Sequence, residues 1–166
     1  HRGYVLDQGR NAYTGTGELQ FVATSRYDLR SDFPDNASNH NGGTVRFGTD
    51  GMLYVSLGDD ATGCPALDIT RPLGKILRLD VSRLPDVPGG PAPYALLAPA
   101  DNPYAANADS IAKLVWTSGL RNPFRFSFDD GPGGDNRLLV ADVGQALYEE
   151  LNVMIKGGNY GWVLRE

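Results

Sequence analysis

An all-β fold, organised as a segment of a β-propeller, is predicted by three features of this 166-residue sequence. Its apolar runs are short and alternating, Gly-containing turns separate them, and one hairpin pattern recurs along the chain. The alternation places strands at 4–6, 19–27, 44–47, 53–57, 75–81, 114–117, 124–128, 138–143 and 151–155. Turn residues such as Thr49-Asp50-Gly51 and Asp130-Gly131-Pro132-Gly133-Gly134 sit between them, as hairpins require. Helical periodicity is nearly absent; its best candidate is 105–114, broken by polar residues. The stretch 84–107 carries six prolines and no strand pattern, and is expected to be a surface loop or insertion between sheets. A two-domain chain with this stretch as linker is the weaker alternative, because neither half is large enough to bury a sound core alone.

The recurrence defines the repeating unit. Val45-Arg46-Phe47, Asp50-Gly51, Leu53-Tyr54-Val55 and Gly58-Asp59 are echoed by Phe124-Arg125-Phe126, Asp130-Gly131, Leu138-Leu139-Val140 and Asp142-Val143-Gly144. The offset of about 80–85 residues is close to twice the usual blade period, inflated by the Pro-rich stretch. A further strand follows each copy, so the unit reads as a four-stranded antiparallel blade. Residues 1–166 thus amount to a partial propeller of about two full blades plus flanking strands, with an insertion near 84–107. Closure of a propeller takes roughly 4–8 blades, so the remainder of the propeller is an expected partner.

Composition narrows the function. Glycine (21) and proline (11) make about a fifth of the chain, below the share associated with disorder, and 41% hydrophobic residues suffice for a core. A formal net charge of −5 with scattered basic residues argues against nucleic-acid binding. No run approaches the roughly 20 apolar residues of a membrane-spanning helix. Cys64 stands alone, which excludes a disulfide framework or zinc cluster within the chain. The first residues, His1-Arg2-Gly3, carry no basic-then-apolar leader, so any targeting signal is expected to be removed or to lie outside this segment.

Four motifs carry candidate chemistry. In Asn39-His40-Asn41-Gly42-Gly43, His40 has an imidazole suited to proton abstraction near neutrality; the alternative is a turn histidine with only local bonds. Gly119-Leu120-Arg121-Asn122-Pro123-Phe124 presents a guanidinium fork at a strand entrance, or else an Asn-Pro turn with a surface ion pair. Asp142-Val143-Gly144-Gln145 and Glu149-Glu150-Leu151-Asn152 gather oxygens of the kinds calcium takes, or form a solvated acidic loop. Gly157-Gly158-Asn159-Tyr160-Gly161-Trp162 is a tight turn with two aromatics able to pack a seam between blades. Asn36-Ala37-Ser38 is a formal glycosylation sequon of little weight.

Taken in order, these pieces resemble the glucose/sorbosone dehydrogenase family of quinoprotein sugar dehydrogenases. The resemblance runs through 39–59, Leu73-Gly74-Lys75-Ile76-Leu77-Arg78-Leu79-Asp80, 119–124, Asp142-Val143-Gly144 and 150–162, and covers about 36–162. It implies a six-bladed β-propeller that binds pyrroloquinoline quinone (PQQ) and calcium, oxidises an aldose at C1 to the lactone by hydride transfer, and passes electrons to an external acceptor. By the same resemblance His40 is the base, Arg121 and Asn122 contact the quinone oxygens, and Arg121 stabilises developing negative charge. Gly144 and Gln145 then hold the cofactor-bound calcium through backbone carbonyls. Glu150, by side chain, and Tyr160, by main chain, ligate a second, structural calcium. Asn39 stands where some members carry Asp, and Gln145 where some carry Pro. Further basic residues that clamp PQQ come from later blades in the family, so this segment alone is expected to bind PQQ weakly or not at all. The implied location is periplasmic or secreted. A different reading is a non-catalytic propeller that binds a protein or glycan partner; His40, Arg121 and Asn122 together favour the enzyme.

Overall fold

The computed structural model describes residues 11–13, 19–21, 26–85 and 87–165, and the expected strand at 4–6 lies outside them. Strands β1 (Asn11–Tyr13) and β2 (Leu19–Phe21) form an antiparallel pair. A four-stranded antiparallel sheet follows in chain order: β3 (Val45–Phe47), β4 (Leu53–Leu57), β5 (Lys75–Leu79) and β6 (Val115–Thr117). A three-stranded antiparallel sheet comprises β7 (Pro123–Phe128), β8 (Leu138–Asp142) and β9 (Glu150–Met154). The echoed segments are therefore the hairpins β3–β4 and β7–β8.

The period-two alternation explains how the sheets stack. Both β4 and β5 are buried along their whole length. Leu53, Val55 and Leu57 pair with Leu79, Leu77 and Lys75 on one face, and the four leucines and Val55 there join a core with Tyr27, Leu29, Leu97, Leu114 and Val115. Tyr54 and Ile76 point to the opposite face, where Phe126, Leu138, Val140 and Met154 of the second sheet cover them. Each such fully buried Leu or Ile contributes about 1.5–3 kcal/mol. Edge-on contacts of Tyr54 with Trp116 and Phe128 complete the seam between the sheets. The other face of β9 shows Leu151, Val153 and the following Ile155 to solvent.

The Pro-rich stretch is more than a surface loop. It contains a one-turn helix, α1 (Tyr94–Leu97), and Ala92 and Leu97 are fully buried in the first core. Asn102 and Asp101, further along, bind Arg78, whose guanidinium also reaches Asp50 at 2.9 Å. Proline removes backbone donors but leaves small and apolar side chains free to pack, which composition alone does not reveal. The helical candidate at 105–114 contributes only a 3₁₀ turn at Ala112–Leu114, and the strand expected at 19–27 is a strand over Leu19–Phe21, with Tyr27 bridged to Gly89.

Lys75 opens β5 with no side-chain exposure. Its Nζ donates to the carbonyls of Pro65 (2.9 Å), Ala66 (2.7 Å) and Leu73 (2.7 Å), pinning the 64–73 loop to the sheet. Burial pulls the amine down to about 7, against the nearby Asp68 carboxylate, which raises it; the three carbonyls match the ammonium form, which alone has three N–H donors. Lys75→Met takes the ammonium donor from the Pro65, Ala66 and Leu73 carbonyls, of which Pro65 and Ala66 keep the amides of Asp68 and Gly119. We expect it to lower stability by about 1–3 kcal/mol, read as a reduced urea midpoint with an unchanged m value.

Candidate active site

His40 lies in a loop whose backbone takes a left-handed conformation there (φ 59°). Gly58 permits this path: a Cβ at Gly58 would lie 1.8 Å from the His40 carbonyl oxygen and 3.1 Å from Asn122 Oδ1. Past the end of β4, Asp59 is buried, and its Oδ1 is 2.7 Å from His40 Nδ1. A carboxylate only accepts, so Nδ1 carries the proton and Nε2 is the basic atom of the ring. Three further donors fix Asp59: Ala61 N on Oδ1, and Gly63 N and Trp162 Nε1 (2.7 Å) on Oδ2.

Arg121 and Asn122, just before β7, are held through every backbone polar group they have. Asp142, the last residue of β8, accepts from Arg121 N (2.9 Å) and Asn122 N (2.6 Å). Asp59 N donates to the Arg121 carbonyl, and Val143 N to that of Asn122. Burial pushes the Asp142 carboxyl up from the ordinary 3.8 to about 6, Glu150 adds to the rise, and the two amides pull against it. The Arg121 side chain donates from Nη1 to the Val143 carbonyl and from Nε to Gln145 Oε1, and its Cζ lies 5.4 Å from the centre of the Trp162 ring. Asn122 Oδ1 accepts from Gly42 N (3.0 Å), which leaves Nδ2 as the donor end of that side chain.

The chain end reaches this place by returning along β6. Gly157 N donates to Trp116 O, Ser118 N to Gly158 O, Tyr160 N to Ser118 O and Trp162 N to Gly119 O. Gly119 must be glycine here: φ is 75°, and a Cβ would lie 2.2 Å from Asn159 Oδ1.

Two neighbouring cavities result. Arg121, Asp142, Gly144, Glu150, Tyr160 and Trp162 line one, with Val143 and Arg165. His40 lines the other with Asn41, Gly58 and Asp60. The Asp59–Trp162 hydrogen bond links them. The structure thus gathers Arg121, Gly144, Glu150 and Tyr160, sets His40 one residue layer away, and leaves Gln145 exposed with its side chain on Arg121. Among the described residues no three His, Cys, Asp or Glu side chains are grouped as a metal centre. Of the four candidate calcium ligands, three involve main-chain oxygens and only Glu150 a side chain, itself bound to Asn152 Nδ2.

Asp142 and Trp162 enter the sequence reading as a calcium-type oxygen and a seam aromatic, and Asp59 only as part of the recurring pattern; the bonds by which they hold His40 and Arg121 were not foreseen. The two carboxylates occupy corresponding blade-strand ends in the recurring pattern, which was the signal available. Nothing local marks the hydrogen bond of Trp162, because its partner lies 103 residues away.

Stacked antiparallel sheets with a polar cluster at one set of strand ends define a β-propeller segment with its candidate site on that face. The family described as Glucose / Sorbosone dehydrogenase matches residues 16–166, and the chain belongs to it. Among its relatives, HIPL1 protein of Arabidopsis thaliana is 38% identical over 138 residues, 78% of this chain and 19% of its own length. Aldose sugar dehydrogenase YliI of Escherichia coli K12 is 29% identical over 166 residues, 96% of this chain and 40% of its own. Human Hedgehog-interacting protein is 35% identical over 133 residues, 73% and 18%. The solved PQQ-bound aldose sugar dehydrogenase from Streptomyces coelicolor superposes with a TM-score of 0.62 at 31% identity, covering 90% of this chain and 36% of that one. The chain therefore spans from about a fifth to two fifths of the length of these proteins.

Gly58→Ala is expected to expel the His40 loop from its path at a cost of about 2–4 kcal/mol. Thermal unfolding measures the cost, and loss of the His40–Asp59 contact in the imidazole NMR signals locates it.

Proposed function

We propose that this chain is a segment of a PQQ- and calcium-dependent sugar dehydrogenase that oxidises an aldose at C1 to the lactone and hands the electrons to an external acceptor. The observation that carries the reading is the pairing of an oriented base with a fixed guanidinium. His40 is held by Asp59 through Nδ1, so Nε2 is directed as a proton acceptor, and Arg121 stands on an immobilised backbone a residue layer away.

The residues present fit the group. The Arg121 guanidinium, the Val143–Gly144 backbone and Glu150 line one cavity, and Asn122, next in sequence to Arg121, adds an Nδ2 donor, a set suited to an anionic, carbonyl-bearing ligand with a hard cation beside it. When bound, PQQ supplies the electron-poor quinone that accepts the hydride. The chain's own share is proton and charge control. His40 Nε2 takes the anomeric hydroxyl proton, Asp59 stabilises the resulting imidazolium, and Arg121 and Asn122 offset negative charge developing beside them. Gly144 and Gln145 carbonyls are assigned to the cofactor's calcium, and Glu150 with the Tyr160 carbonyl to a second one. The exposed Leu151, Val153 and Ile155 face suits contact with the remainder of the propeller. The reading carries with it a periplasmic or secreted location.

The test is reconstitution of the full-length protein with calcium and PQQ, followed by dye reduction with a panel of aldoses. Turnover is expected, with kcat lowered about 10²–10⁴-fold in His40→Ala and about 10²–10³-fold in Arg121→Ala. Absence of any cofactor-dependent turnover, with retained binding of a protein or glycan, would instead assign a non-catalytic binding propeller.

A further inference from the structure

Trp162 touches both halves of the site with different parts of one ring system. Its indole N–H donates to Asp59 Oδ2 at 2.7 Å, and its face lies 5.4 Å from the Arg121 guanidinium carbon. The backbone beneath it is fixed by the bond from its own N–H to the Gly119 carbonyl at 3.0 Å.

The arrangement of donors on Asp59 shows why this matters. Ala61 N and Gly63 N come from the turn that follows Asp59 and move with it. His40 is the group being oriented. Trp162 supplies the remaining donor and arrives from another part of the chain, so it fixes the rotation of the carboxylate relative to the rest of the site. A charged acceptor also makes this a strong bond. The same ring gives the Arg121 guanidinium an aromatic face to lie over, complementing its bonds to Val143 and Gln145. We propose that Trp162 is a positioning residue that holds the His40–Asp59 pair and Arg121 in one mutual arrangement. The contact itself is independent of any reaction; its kinetic consequence rests on the sugar-dehydrogenase reading.

The test uses the full-length protein with Trp162→Phe, which keeps an aromatic face and loses the N–H, and Trp162→Leu, which loses both. The indole proton that disappears in Trp162→Phe is followed by NMR in the wild-type apo-protein. It is expected to exchange with solvent at least about tenfold more slowly than a free indole. Exchange at the free rate overturns the proposal, whether or not the protein proves to be a dehydrogenase.

Two further readouts separate positioning from simple structural support. Trp162→Phe is expected to lower kcat about tenfold while the PQQ Kd, measured by titrating the apo-protein, changes by less than about threefold. Trp162→Leu is expected to weaken PQQ binding about tenfold as well, because Arg121 loses its aromatic face. In a His40→Ala background Trp162→Phe is expected to change kcat by less than about twofold, since its influence runs through His40. Fully additive losses in that double variant would overturn the proposal. So would wild-type kcat in Trp162→Phe. If Trp162→Leu does not fold, the Phe variant and the exchange measurement decide.

Discussion

Immobilising two consecutive peptide units is the constraint from which the rest of this site follows. Arg121 and Asn122 enter β7 with both amides on one buried carboxylate, that of Asp142, and with both carbonyls on the amides of Asp59 and Val143. A long, flexible guanidinium makes a poor instrument unless its Cα is fixed, because side-chain entropy otherwise spreads it over many positions. Here the two sheets share the task. Asp59 follows β4 of the first sheet and Asp142 closes β8 of the second, so the Arg-Asn step clamps the ends of both. Packing of Phe126, Leu138, Val140 and Met154 against Tyr54 and Ile76 therefore sets the distance between the carboxylates as well as burying apolar surface.

The blade pattern was legible in the sequence because its physics is local. Alternation in 53–57 and 138–142 follows from pleated strands covered on their faces, and Asp-Gly turns follow from the backbone conformations that tight connections need. The motif positions His40, Arg121, Asn122, Gly144, Gln145, Glu150 and Tyr160 stood out only through their family order, and of these the structure draws Arg121, Gly144, Glu150 and Tyr160 to one cavity. What remained hidden depends on contacts between distant residues. The 84–107 stretch looked like loop by its prolines, yet Ala92 and Leu97 seal the first core. Asp59 read only as a member of the recurring hairpin pattern, yet its carboxylate collects four donors, one of them 103 residues away. No periodicity encodes such meetings; they exist once the 157–162 segment has been laid along β6.

Glycine has two separate uses in this arrangement. At Gly58 the missing side chain lets the His40 backbone approach β4 so closely that a single carbon would displace it. At Gly119 it admits the returning segment that delivers Trp162. In both places the sequence trades a side chain for proximity between backbones, and the reactive groups inherit their separation from that proximity. The polar cluster is thus built from the scaffold outward, with the imidazole and guanidinium as its last and most dependent parts.

Lys75 gives the scaffold a cation that is covalently part of it. Three converging carbonyls around an ammonium resemble, in their geometry, the oxygen cage a small inorganic ion would need. This ion is tethered by four methylenes, so it can be neither dialysed away nor captured by a chelator. Because the Ala66 carbonyl also receives Gly119 N, the loop that backs the Arg121 segment keeps its shape whatever the free-metal level of the surroundings.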